Sequence, residues 1–405
     1  MKKATCVRVT GPLEPYVTGF RQELARQGYA PSTATAHLQL MAHVSRWLAA
    51  AQLGPADLSA ARVELFLRER RASGQVRRLT PRGLIPLLGY LRELGVVPEP
   101  ATPVPDGPLD RLVAEFAGYL AAERGLSEPT IRWNRHVAEL FLSAHRDTLR
   151  VDGSGLRGLT AAEVTPFLLS QCSSRGAGSL NNVATALRTL LRFCYVQGHT
   201  ATPLAGAVHA GPGWRDGGIS RALQAGEVAR LLASCDRRSA AGRRDFAILT
   251  VLARLGLRAR EVAALSLDDV DWRGGALVVA GKGNRHDQLP VPVDVGRALA
   301  DYCRRGRRSG RCRTLFLQVR APYAALSPSA VSHVVVRACG RAGLPPAGAH
   351  RLRHSAATAM RRAGAPLLEI GQILRHRHTV TTAVYAKDDL DALATVARRW
   401  PGGAA

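Results

Sequence analysis

At 405 residues the chain has room for roughly two to three domains of about 150 residues each, enough to bury its cores without disulfide or metal staples. Its 46% hydrophobic and 21% charged residues are ordinary globular usage, which excludes wholesale disorder and fibrous rods. The charge is not ordinary: a formal +25 repels cationic partners and attracts a polyanion, nucleic acid ahead of an anionic membrane surface.

No apolar run reaches the roughly 18 to 20 residues that span a bilayer, and Lys2 and Lys3 are not followed by an apolar signal segment, so a cytoplasmic protein is expected. The seven cysteines, Cys6, Cys172, Cys194, Cys235, Cys303, Cys312 and Cys339, are scattered and lack CxxC spacing. They predict reduced thiols, with neither a disulfide framework nor a zinc ribbon. Only Lys2, Lys3, Lys282 and Lys387 are lysines among 56 basic residues, so an interior lysine in so Arg-biased a chain raises a chemical question.

From the N-terminus, the apolar spacing is i, i+3, i+4 through two successive blocks, each predicting a bundle of about four helices. The first helix of each block runs into a Gly turn, Phe20 to Gly28 before Pro31 and Phe116 to Gly125 before Pro129. A short motif then repeats at an offset of 101 residues: Leu58, Ser59, Ala60, Ala61, Val63, Phe66, Leu67 against Leu159, Thr160, Ala161, Ala162, Val164, Phe167, Leu168. Ser59 and Thr160 stand where an N-cap hydroxyl would open the helix. Each block closes alike, LLGYLRELG at 87–95 answering LLRFCYVQG at 190–198. The repetition predicts an internal duplication, and no shorter repeat points to a solenoid.

Two stretches punctuate the chain. Five prolines fall in PEPATPVPDGP at 98–108, and Gly and Pro crowd 206–218; both predict linkers. The expected organisation is an extra N-terminal helical domain at 1–97, a second helical domain at 109–205, and a third domain at 219–405. The third block opens with helix-like segments at 223–235 and 244–256. It then reads as two short strands within 276–292, joined by a Gly-Lys-Gly-Asn turn, before helices resume. The fold class expected is mainly α with a small β-sheet in the C-terminal domain.

Five kinds of group suited to phosphate chemistry recur in that third block. Arg258 is followed one helical turn later by Glu261, which can orient the guanidinium by a charge-assisted bond. Lys282 sits in the strand turn. His350 and Arg353, three apart, project from one helix face. His376 follows, and nine residues later comes Tyr385. Taken singly, each reads more readily as a packing or solvated group than as a catalyst; the ordered set with its spacing does not.

That set resembles the tyrosine recombinase/integrase family, the phage integrases and Xer-type recombinases. The phrases that carry the resemblance are G-L-R-x-x-E at Gly256 to Glu261, G-K-G-N at Gly281 to Asn284, H-x-L-R-H at His350 to His354, and L-x-H followed by Tyr at Leu374 to Tyr385. The resemblance runs from about Leu109 to the C-terminus and leaves the first block as an addition. It departs at one position: the family usually has Gly before the second histidine, where this chain has Arg375, in either a strained turn or a helical position.

The resemblance implies the breaking-rejoining fold, with helical SAM-like core-binding domains ahead of the catalytic domain. It implies site-specific recombination of double-stranded DNA by metal-free transesterification, with no cofactor. Arg258 and Arg353 would clamp the non-bridging phosphate oxygens, Tyr385 would be the nucleophile of a 3′-phosphotyrosyl intermediate, and Lys282 the general acid. His350 would support the phosphate and assist proton transfer with the tyrosine, His376 would donate to a non-bridging oxygen, and Glu261 would be structural support. A homo- or hetero-tetramer on two DNA sites is implied, with a partner recombinase as one form of it.

The apolar spacing of Leu390, Leu393 and Val396 predicts a C-terminal helix, docked either on its own domain or, as the resemblance favours, on a neighbour. The basic runs 304–313 and 361–362, and the helix carrying Asn181, Asn182 and Arg188, are candidate DNA contacts that no motif fixes. The additional first block leans toward an integrase or transposase-like recombinase of a mobile element. An Xer-like dimer resolvase is the alternative, with a type IB topoisomerase, a zinc enzyme using His350, His354, His376 and His378, and a non-catalytic DNA-binding protein behind it.

Overall fold

A computed structural model describes residues 7–75, 80–99, 107–145, 154–172, 177–208, 222–281, 286–310 and 312–375. Lys282, His376, Tyr385 and the C-terminal segment lie outside them. By its backbone contacts the chain divides into two compact units, one of residues 1–100 and 220–405 and the other of 101–219.

The N-terminal stretch of the first unit forms four helices, α1 Val17–Arg26, α2 Pro31–Ala50, α3 Ala60–Ala72 and α4 Ile85–Glu93. Gly28, at φ +77°, makes the turn after α1. Pro31 opens α2, where its missing N–H has no partner to lose. Ser59 caps α3 by accepting from the Arg62 N–H. Phe20, Leu24, Met41, Leu48, Phe66, Leu67 and Leu91 share a core of their own. A buried polar group pins the entering chain: Ser45 Oγ accepts from the Leu13 N–H at 3.0 Å and donates to the Thr10 carbonyl at 2.8 Å.

The second unit has the same count and order: α5 Pro108–Ala122, α6 Glu128–Ala144, α7 Ala161–Cys172 and α8 Ala177–Val196. Pro108, assigned to the linker by composition, is instead the first residue of α5. The two motif copies mark equivalent core positions, because Leu58, Val63, Phe66 and Leu67 are buried in one core and Leu159, Val164, Phe167 and Leu168 in the other. The turn glycines correspond too, Gly125 at φ +55° and Gly198 at +74° answering Gly28 and Gly95. Thr160 differs from Ser59 in detail: its N–H and its hydroxyl both donate to the Glu163 carboxylate.

The rest of the first unit is built on α10 Ala240–Leu255, preceded by α9 Ala225–Ala233 and followed by α11 Ala259–Ala264. Six consecutive residues of α10, Ala247 to Leu252, are buried, the signature of a helix surrounded on all sides. A three-stranded antiparallel sheet follows, in the order β1 Val270–Asp271, β2 Ala276–Ala280, β3 His286–Pro290, with Leu277 opposite Leu289. The sequence shows only β2 and β3. The two-residue β1 is too short to carry a pattern and is defined by its pairing with β2 across a turn in which Asp271 accepts from the Arg273 and Gly274 N–H groups.

Four helices complete the core, α12 Val293–Arg305, α13 Pro328–Arg341, α14 Ala349–Arg362 and α15 Leu367–Ile373. Ser355 of α14 is buried and accepts from the Leu223 N–H at 2.8 Å, which ties the segment entering α9 to α14. Among the described residues all six cysteines are free thiols, and no helix is long and apolar enough to cross a membrane.

Candidate active site

The site begins where α10 ends. Gly256 terminates the helix at φ +59°, a left-handed conformation that disfavours a side chain. It must also be small, because a Cβ there would stand 2.5 Å from Leu374 Cδ2. Two residues later Arg258 is the N-cap of α11, and Glu261 turns back onto it. One carboxylate oxygen of Glu261 accepts from the Arg258 backbone N–H at 2.8 Å and the other from its guanidinium at 2.7 Å. The sequence-level pairing of Arg258 with Glu261 is therefore made, and it is made in the interior: the Glu261 side chain is fully buried while Arg258 keeps a third of its side chain accessible.

The second arginine comes from α14. Arg353 is 1% exposed and donates to the Gly256 carbonyl at 2.6 Å and to the Leu374 carbonyl. Arg258 donates to the next carbonyl, that of Arg375, at 3.3 Å. Two guanidinium groups far apart in sequence thus converge on consecutive peptides after α15. Leu374 is itself buried against Ala357 and Ile370, so the carbonyl seat is fixed by packing.

Arg375 resolves the alternative left open at this position. It is not helical: φ is +54°, in the left-handed region. Its side chain, 8% exposed, donates to Glu261 at 2.6 Å and lies 3.8 Å from the Asp287 carboxylate of β3. Burial would raise the Glu261 carboxyl, but the Arg258 N–H and the charges of Arg375 and Arg258 hold it below the usual carboxylate range.

His350 lies in the first turn of α14, with its Nε2 2.9 Å from Nε2 of His354. The rings meet edge to face at 4.5 Å. Desolvation, followed by the charges of Arg353 and Arg258, lowers the His350 imidazole. Desolvation, followed by the charges of His350 and Arg353, lowers His354 to about 4. Both shifts favour the neutral form of the two rings. Among the described residues no group of three or more His, Cys, Asp or Glu side chains could hold a metal ion.

Of the six sequence-predicted site residues, Arg258, His350 and Arg353 fall within the described structure and gather here; Lys282, His376 and Tyr385 fall outside it. The sequence missed two contacts of the site. His354 entered only as a metal-ligand alternative, although its i, i+4 spacing from His350 is a signal for the ring contact. Arg375 was visible as a departure from glycine, with nothing local to show that its partner is Glu261.

Several arginines proposed for DNA are occupied within the protein. Arg188 donates twice to the Val208 carbonyl, at 2.8 and 3.1 Å, and is a clamp inside its own unit, whereas Asn181 and Asn182 are exposed. In the basic run, Arg307 donates to the carbonyls of Cys312, Thr314 and Leu315, and Arg313 pairs with Asp268. Arg362 donates to Gln224 at 2.9 Å.

The chain is similar to known proteins. The phage integrase family profile matches residues 221–391. The integrase/recombinase y4rA of Sinorhizobium fredii is 37% identical over 400 residues, 97% of this chain and 96% of the relative. The tyrosine recombinase XerC of Bifidobacterium longum subsp. infantis is 26% identical over 347 residues, covering 95% of XerC but 71% of this chain. Among solved structures, the post-cleavage complex of the XerH site-specific recombinase with palindromic difH substrate has a TM-score of 0.56 at 19% identity, covering 84% of this chain and 94% of XerH.

The family match and these relatives define a DNA strand-breaking and rejoining enzyme. The chain belongs to the phage integrase family of tyrosine recombinases, whose reaction is site-specific DNA recombination.

Proposed function

We propose that this recombinase cleaves and rejoins double-stranded DNA with Arg258, Lys282, His350, Arg353, His376 and Tyr385 as its catalytic set. The observation that carries the assignment is the convergence of Arg258 and Arg353 on the peptide carbonyls of Leu374 and Arg375. Two guanidinium groups fixed by main-chain acceptors are preorganised donors. They neutralise charge growing on the non-bridging oxygens of a pentacoordinate phosphorus with little reorganisation.

In this reading the Tyr385 Oη attacks the scissile phosphorus, the P–O5′ bond breaks, and a 3′-phosphotyrosyl ester holds the bond energy until a 5′-hydroxyl attacks in turn. The tyrosine proton passes to the neutral His350. The leaving O5′ takes its proton from Lys282, an ammonium whose pKa suits donation better than that of a guanidinium. His376 donates to a non-bridging oxygen. The surrounding arginines hold the duplex through its phosphates, so affinity falls steeply with salt.

Residues 108–208 act as the core-binding domain and 220–405 as the catalytic domain. Residues 1–97, before the Pro-rich stretch that ends ahead of α5, are a second core-binding-like module derived by duplication. The protein works as a tetramer on two sites, with itself or a partner recombinase. The N-terminal addition favours a mobile-element recombinase over a dimer resolvase.

The test is covalent trapping in EDTA, with nicked duplexes tiled from the DNA flanking the gene. A denaturation-resistant protein–DNA band from the wild type, absent from Tyr385→Phe, is expected. Cleavage that persists in Tyr385→Phe, or that requires added metal, refutes the assignment.

A further inference from the structure

Arg375 stands where the motif favours glycine and adopts a conformation that glycine takes without penalty, φ +54°. Its side chain does what glycine cannot. It is buried, donates to Glu261 at 2.6 Å and approaches Asp287 of β3 at 3.8 Å. Glu261 is fully buried, and its other oxygen receives the Arg258 guanidinium. With Arg258 as the sole cation on that carboxylate, the pair would be neutral, and in a water-poor site the carboxylate would offset much of the field that Arg258 presents to an anion. A second guanidinium brings the group Arg258, Glu261 and Arg375 to one net positive charge, and Asp287, farther off at 3.8 Å with a 44% exposed side chain, offsets that charge only in part because water screens it. The main chain of Arg375 also accepts from Arg258 at 3.3 Å, so Arg375 holds Arg258 both directly and through the shared carboxylate.

We propose that Arg375 is a positioning residue for phosphodiester cleavage: by sharing the charge of Glu261, its guanidinium leaves Arg258 fixed in place and net positive toward the scissile phosphate. This rests on the assignment of Arg258 as a ligand of that phosphate. A purely structural role at a left-handed position would be filled at least as well by glycine, which makes glycine the informative substitution.

The experiment uses the full-length protein and a duplex that the wild type is shown to cleave. It measures the maximal rate of covalent adduct formation and the DNA concentration giving half that rate for Arg375→Gly, Arg375→Lys, Glu261→Gln and the Arg375→Gly/Glu261→Gln double variant. For Arg375→Gly we expect the maximal rate to fall at least tenfold while the half-saturating concentration stays within threefold. Arg375→Lys should recover part of that loss, and Glu261→Gln should do less harm in the Arg375→Gly background than alone. An Arg375→Gly protein cleaving at the wild-type rate overturns the proposal, as does a lysine variant no better than the glycine one. An Arg258→Ala protein that cleaves normally would instead remove the phosphate assignment beneath it, whatever Arg375 does.

Discussion

Replacing Gly256 with alanine should destabilise the core built on α10 by about 2 to 5 kcal/mol. Two effects add. The left-handed φ of +59° costs an L-residue about 1–2 kcal/mol. The new Cβ would lie 2.5 Å from Leu374 Cδ2, against the roughly 3.5–4.0 Å of an ordinary carbon contact, so something must move by about an ångström. Leu374 is fully buried and has no solvent to retreat into, and such overpacking costs about 1–3 kcal/mol. The displacement falls where the Gly256 and Leu374 carbonyls hold Arg353, so the cleavage rate should drop on the order of 100-fold even in the folded fraction. Gly275→Ala, in the exposed turn between β1 and β2 of the same unit, is the control: its φ is +64°, but an added Cβ meets nothing within 4 Å, so only the backbone cost of about 1–2 kcal/mol applies. Native-state hydrogen exchange of the α10 amides reads this core by itself, which a melting curve of so composite a chain would not. Equal costs for the two glycine substitutions would show the overlap argument to be wrong. Leu374→Ala should in turn relieve part of the Gly256→Ala cost.

Three other expectations follow from the packing and charge. His354 binds a proton at about 4 in the folded protein and near 6.5 when unfolded, so the unfolded state holds more protons between those values. Stability of this core should therefore be full above pH 6.5 and decline as the pH falls toward 4, and His354→Asn should flatten the dependence of the denaturant midpoint over that window. Arg188→Met should weaken the second unit by about 1.5–3 kcal/mol by removing a charged donor from the Val208 carbonyl, while DNA affinity in a filter-binding titration stays within twofold. Phe66→Ala and Phe167→Ala, at equivalent motif positions, should each cost about 3–5 kcal/mol, raising exchange in α2 for the first and α6 for the second. A double variant should show additive losses, since the two side chains belong to separate cores.

Local features were legible in the sequence. Apolar periodicity located the helices of both four-helix stretches, and the turn glycines and Ser59 stand where their chemistry required them. Arg258 and Glu261 pair because they are one turn apart, and His350 and Arg353 share α14 for the same reason. Long-range contacts could not be read. Nothing near Arg375 in the sequence names Glu261 as its partner, and nothing near Arg188 names Val208. Only the fold brings these groups together, and in both cases it converts a surface-type residue into an internal tie. β1 is the remaining kind of miss, a two-residue strand that exists through its neighbour.

The groups that hold Arg258 and Arg353 include the carbonyls of Gly256, Leu374 and Arg375. A carbonyl is present whatever the side chain, so single substitutions along these peptides cannot delete the acceptors; they can only displace them. Chain length is another matter. Adding or removing one residue between α15 and Arg375 would rotate both peptides out of register and take the seats from two arginines at once. In a lineage that keeps this site, these turns should tolerate changes of residue type far better than insertions or deletions, and shuffled variants should fail at these junctions before they fail elsewhere.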